Sequence, residues 1–121
     1  HSGERWNAAR AYLHGGNARD RRSNGGRNHL HVMTGTQVLR ILFEKRRAVG
    51  VLAWRDGREI VLRARREIIV SAGTFGSPQL LMVSGVGPAD HLRAQGLAVV
   101  HALPGVGGNL PDHLAIVLHK R

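Results

Sequence analysis

Eight histidines and no cysteine set the first limits on the chemistry open to this chain of 121 residues. Without thiols there is no disulfide, no thiolate metal ligand and no cysteine nucleophile. His29 and His31 stand at i, i+2, which puts both imidazoles on one face of a strand, an arrangement able to chelate Zn²⁺. No third ligand with suitable spacing follows nearby, so no metal site is assigned. His91, His101, His113 and His119 read as surface or loop residues rather than general bases. Asp112 and His113 have the types of an acid–base pair, yet adjacent residues rarely point at one another. Ser71, Ser77 and Ser84 stand outside any G-x-S-x-G elbow, which argues against nucleophilic hydrolysis. No residue here is assigned a catalytic role.

Glycine is the second chemical resource. A dinucleotide fingerprint needs G-x-G-x-x-G between a strand and a helix. Gly105-Val106-Gly107 comes nearest, but position 110 is Leu and no helical pattern follows. Gly85-Val86-Gly87 has Asp90 at the third place. The pyrophosphate-binding turn is therefore not in this chain, and another segment must hold the phosphates of any dinucleotide. Ser71-Ala72-Gly73 is more informative. Three small residues at the carboxyl end of an apolar run leave room for a ligand to approach, and open α/β sheets bind cofactors at that end of their strands.

The elements that would position these residues follow from periodicity and punctuation. Residues 7–13 hold good helix formers behind a possible Asn7 cap, and residues 19–27 read as an exposed loop. Residues 29–34, 37–43, 48–54 and 59–65 are strand candidates. A charged turn at 44–47 and the hairpin signal Asp56-Gly57 join the last three into an antiparallel meander. Residues 67–70, Glu-Ile-Ile-Val, read as a strand buried on both faces. Ser77 and Pro78 then predict an N-cap and first turn for a helix over 78–83, with Leu80 and Leu81 inward and a stop at Ser84-Gly85. A second helix is expected over 88–95 with Gly96 ending it, then a strand over 97–101 and a loop over 103–113.

The formal charge of +10 invites a nucleic-acid partner. Sixteen of the 18 basic residues are Arg, however, beside 16 Gly, a skew that GC-rich coding sequence also produces. Five aromatics are too few to interleave with the arginines, so a small basic nucleic-acid-binding module stands as the alternative and not the main reading. A decayed remnant without function is a third. No apolar run approaches the roughly 20 residues of a membrane-spanning helix. Lack of cysteine fits a reducing cytosol, while oligomeric state and targeting leave no mark. His1 and the strand-like residues 116–121 suggest an internal piece of a longer protein.

Residues 73–87, Gly-Thr-Phe-Gly-Ser-Pro-Gln-Leu-Leu-Met-Val-Ser-Gly-Val-Gly, resemble position for position the second signature of the glucose–methanol–choline (GMC) oxidoreductases. The segment Ala8-Ala9-Arg10-Ala11-Tyr12-Leu13, the meander, and Leu103-Pro104-Gly105-Val106-Gly107-Gly108-Asn109-Leu110 with Asp112-His113 are similar to other parts of that family, most of all its choline dehydrogenase-like members. Trp6-Asn7 departs from the family's usual small hydroxyl residue, and residues 21–27 look like a short insertion.

The resemblance implies an α/β fold: a partial FAD-binding, Rossmann-like domain over 1–101, then a connecting loop and the start of a substrate domain over 102–121. That fold would hold a three-stranded antiparallel meander, one buried parallel strand and two short helices. It also implies FAD as cofactor and an alcohol as substrate, with hydride passing to the flavin. By the same resemblance the backbone of Val38, beside Gln37, would meet the adenine, and Ala72 and Gly73 would line the nucleotide end. The family's catalytic histidine and its His or Asn partner match none of this chain's residues.

Overall fold

The computed structural model describes Gly3 and residues 31–112. The expected helix over 7–13, the loop over 19–27 and residues His29, His113 and His119 lie outside the described residues. The chain divides into two compact units, His1–Thr34 and Gly35–Arg121. In the first, the described residues form no helix or strand, so the β candidate at 29–34 fails over 31–34. An extended segment becomes a strand only when a neighbour completes its ladder. None does among the described residues, and Gly35, at φ +63°, turns the chain instead.

The second unit opens with the expected meander: β1 (Thr36–Glu44), β2 (Arg47–Arg55) and β3 (Arg58–Arg63), antiparallel in the order β1-β2-β3. Two-residue turns set the register. Asp56 and Gly57 both take positive φ, 50° and 79°, which matches the right-handed twist of the strands they join. Lys45 does the same at φ 54° in the first turn. Ile41, Val51 and Leu62 lie opposite one another, and Val38, Ala53 and Ile60 form the next row of the same face. These two rows are apolar and bury Ile41 and Ala53, while Thr36, Arg55 and Arg58 end the face with a polar row. The reverse face mixes Arg40, Leu52 and Val61 with Gln37, Trp54 and Glu59. β1 shifts register between Val38 and Arg40 and again between Leu42 and Phe43.

After β3 the chain departs from expectation. Residues 67–70 are not a strand, and Ile69 is 79% exposed. The continuous apolar run has no paired neighbour among the described residues, and without one an apolar sequence stays irregular. The parallel pairing of this fold is elsewhere: β4 (Val86–Gly87) pairs with β5 (His101–Ala102). Of the strand expected over 97–101, only His101 lies in β5.

The first helix, α1 (Gly73–Val83), starts five residues before Pro78. Ser77 is not its N-cap. Its hydroxyl sits inside the helix and accepts the Ala72 N–H at 3.0 Å. Leu80 and Leu81 are half-buried, and α1 holds no buried residue. The expected stop holds, with Ser84 as C-cap and Gly85 left-handed at φ +86°. The second helix, α2 (Ala89–Ala94), also ends as expected on Gly96 at φ +70°. The Gly96 N–H meets the Arg93 carbonyl and the Leu97 N–H meets that of Leu92, both at 2.9 Å, the bond pair of a Schellman ending. Leu92 and Val86 form the second buried cluster.

Two left-handed glycines differ in the space around them. A Cβ on Gly85 would lie 2.5 Å from the Ala98 carbonyl and 2.8 Å from Val100, whereas one on Gly57 would meet open space. Gly85→Ala is expected to add overpacking to left-handed strain, destabilising the fold by at least about 2 kcal/mol, while Gly57→Ala carries only the strain of about 1–2 kcal/mol. Urea unfolding of the two variants side by side measures the difference.

Candidate cofactor site

β1 is an edge strand, and α1 runs against its open side. Where they meet at one end, Ser84 joins them. Its hydroxyl accepts the buried Ile41 N–H at 2.8 Å and donates to the Leu80 carbonyl one turn back. One side chain thus serves an edge-strand donor and anchors the helix end. No buried side-chain nitrogen or oxygen lacks a partner among the described residues.

Beside that bond, strand and helix line a cavity of about 470 Å³, with Thr36, Gln37, Val38 and Leu39 from β1 and Ala72, Gly76, Gln79, Leu80 and Val83 from the helix side. Gln37, Val38 and Ala72, singled out from the sequence, come together here although 34 positions separate Val38 from Ala72. Gly73 is the residue after Ala72, opens α1 at φ +83° and is not among the lining residues. The Gln37 side-chain amide donates to the Val38 carbonyl at 3.3 Å, which keeps that side chain along the strand edge. Small residues make the space. A Cβ on Gly76 would sit 3.2 Å from the Ala72 Cβ.

Gly76, Gln79, Leu80 and Val83 were not anticipated from the sequence. The spacing 72, 76, 79, 83 is a helical stripe, but it is readable only once the helix is known to start at Gly73. The first turn of α1 has no side-chain cap and no acidic residue, so its free N–H groups leave a positive end beside Ala72.

A second cavity of about 360 Å³ lies on the neighbouring stripe of α1, where Thr74, Phe75, Pro78, Gln79 and Met82 face the turn that holds Gly107, Gly108, Asn109 and Leu110. Gln79 is common to both cavities. His31 lies in no strand, and His101, in β5, has Nδ1 2.7 Å from Arg46 Nη2, which casts it as an acceptor there. Among the described residues no group of three or more His, Asp or Glu is placed to hold a metal ion, and no helix is long and apolar enough to cross a membrane.

Comparison with known proteins identifies the family. A family model described as GMC oxidoreductase matches residues 1–115. The chain is 46% identical over 120 residues to "Choline dehydrogenase, mitochondrial" of Homo sapiens, an alignment covering 99% of this chain and 19% of that protein. Among solved structures it is similar to an FAD-dependent oxidoreductase from Chaetomium thermophilum, at TM-score 0.59 and 33% identity, over 62% of this chain and 13% of that one. It is similar as well to pyridoxine 4-oxidase from Mesorbium loti, at TM-score 0.61 and 32% identity, over 66% of this chain and 16% of that one. The chain thus spans about a fifth of the length of the relative from Homo sapiens, 19% by alignment.

The Ser84 contact has a direct test. Ser84→Ala leaves the buried Ile41 N–H without its acceptor, at an expected cost of about 1–3 kcal/mol. Loss of hydrogen-exchange protection at the Ile41 amide, in step with the fall in stability, is the expected signature.

Proposed function

Because the chain belongs to the GMC oxidoreductase family, we propose that it forms the adenosine-facing part of an FAD site within a longer enzyme that oxidises a small alcohol. The observation that carries this reading is the cavity between the β1 edge and α1, which gathers Gln37, Val38 and Ala72. Its volume of about 470 Å³ falls within the range usual for small-molecule sites. An edge strand offers outward N–H and C=O groups, the donor and acceptor pattern that the rim of a heteroaromatic base can take up. This pattern and volume support a nucleotide end as the ligand.

Within that site the roles divide by chemistry. Val38 presents strand backbone to the base, with Gln37 fixing the local edge. Ala72 and Gly76 keep the wall low, and Gly73 starts the helix whose uncapped first turn favours an anionic group. Bound FAD supplies the acceptor for hydride from the alcohol carbon. Proton removal from the hydroxyl falls to residues outside this chain, since no histidine here matches the family's catalytic pair. Choline is the first alcohol to test, given the likeness to choline dehydrogenase.

The experiment uses the full-length protein that contains this segment. Purified protein is expected to carry the visible absorbance of flavin and to lose it on anaerobic mixing with choline or another small alcohol. A protein without flavin, or with flavin that no alcohol reduces, overturns the proposal. Within the segment, Gly76→Leu fills the cavity from the helix side while improving helix propensity by about 0.5–1 kcal/mol. FAD affinity is expected to fall at least about tenfold, equal to about 1.4 kcal/mol, with the thermal midpoint of the flavin-free protein held or raised.

A further inference from the structure

β3 ends the meander on the side away from β1, and no described strand pairs with its outer edge. The β1 edge is broken by two register shifts and has α1 against it. β3 has neither protection. Its register with β2 runs without a shift, and the strand contains no proline. A regular, uncovered edge of this kind is a template for another strand.

The ladder decides which groups face outward. The Ala64 N–H donates to the Val49 carbonyl at 2.9 Å, and bonded residues alternate along an antiparallel pair. Arg58, Ile60 and Leu62 therefore bond to β2, while Glu59, Val61 and Arg63 turn their N–H and C=O groups away from it. Those three residues are symmetric about Val61, and their side chains carry a matching polarity. In an antiparallel copy of β3 centred on Val61, Glu59 stands opposite Arg63 of the second copy, and Arg63 opposite its Glu59. Ile60 meets Leu62 on the other face, and Val61 meets itself. Val61 is 52% exposed and Leu62 37%, so both have surface left to bury. Glu59 is exposed and has no ion pair among the described residues. Arg63 reaches Glu44 through one N–H group at 3.2 Å and keeps further donors for a second carboxylate.

We infer that β3 is a homodimer interface, pairing antiparallel with β3 of a second copy about a two-fold axis through Val61. A second copy is the occupant because the edge is complementary to itself, acidic at one end and basic at the other. Every outward N–H and C=O of Glu59, Val61 and Arg63 finds its complement, and the paired charges fix the register. Two three-stranded sheets become one continuous sheet whose outer edges are both β1, so association closes at two copies. The inference stands apart from the FAD reading.

Sedimentation of the full-length protein across a concentration series provides the test, with a reversible dimer expected. Glu59→Arg sets like charges opposite each other twice and is expected to weaken dimerisation at least about tenfold. Adding Arg63→Glu to that variant restores opposite charges and is expected to recover most of the loss. It also gives up the Glu44 contact, an exposed pair of small worth. Val61→Pro removes an outward N–H without touching the bonds to β2 and is expected to abolish the dimer. Hydrogen exchange at the Glu59, Val61 and Arg63 amides is expected to slow as protein concentration rises. A protein that stays monomeric at every concentration overturns the inference. A dimer indifferent to Glu59→Arg and Val61→Pro overturns it by placing the contact elsewhere, and a double variant no better than Glu59→Arg overturns the charge pairing on which it rests. Protection of those three amides in a monomer overturns it too, by showing that another segment of the longer chain covers the edge.

Discussion

The Ile41 N–H to Ser84 hydroxyl bond is the contact on which the arrangement of strand and helix depends. α1 contains no buried residue, so apolar burial alone gives it little purchase on the meander. A directional bond from a buried edge-strand donor supplies what area does not, and its loss would leave that donor unpaired in the interior. The same hydroxyl donates to the Leu80 carbonyl, which fixes its orientation and ties the last turn of the helix to the sheet. Gly85 follows at once in a conformation that admits no side chain, and it brings the Val86–Gly87 strand beside His101–Ala102. Sheet, helix and parallel pair meet within these two residues.

The cavity is the counterpart of that bond. Strand and helix are tied at Ile41 and Ser84, and the cavity beside that bond runs along α1 from Ala72 to Val83, where Gly76 and Ala72 add almost no bulk. The space comes from small residues on one stripe of a helix and from the open edge of a sheet, both set by backbone. The ligand proposed for this cavity would be recognised through main-chain groups and shape, which suits a cofactor that many different enzymes share. What separates one substrate from another is expected in parts of the family's fold that this chain does not contain.

The meander was legible in the sequence because its signals are local. Branched and aromatic residues run over 37–43 and 48–54, and Asp56-Gly57 tolerates the positive φ its turn requires. The end of each helix was legible for the same reason, a glycine where the chain turns left-handed. The beginning of α1 was not. Gly73, Gly76 and Pro78 are poor helix residues by propensity, and a helix held at its far end by Ser84 forms in spite of them. Residues 67–70 show the opposite error. Their apolar run carries a strand's composition, but pairing is a property of two segments, and no partner pairs with it among the described residues. The candidate site was readable in part: Gln37, Val38 and Ala72 came from family resemblance, and the stripe through Gly76 and Gln79 needed the true start of the helix.

The two-residue turns also impose an order of events on folding. β1, β2 and β3 pair with their immediate neighbours in sequence, so each hairpin closes a short loop at small entropic cost and forms on the timescale of microseconds. The bond from Ile41 to Ser84 spans 43 positions. It closes a far larger loop, and it cannot form until a helix with several weak helix formers has wound. On this ordering the meander stands first with its apolar face open to solvent, and the cavity comes into being only as the helix docks. For an interval during folding the chain is a sheet without that cavity, and a ligand arriving then finds nothing to hold it.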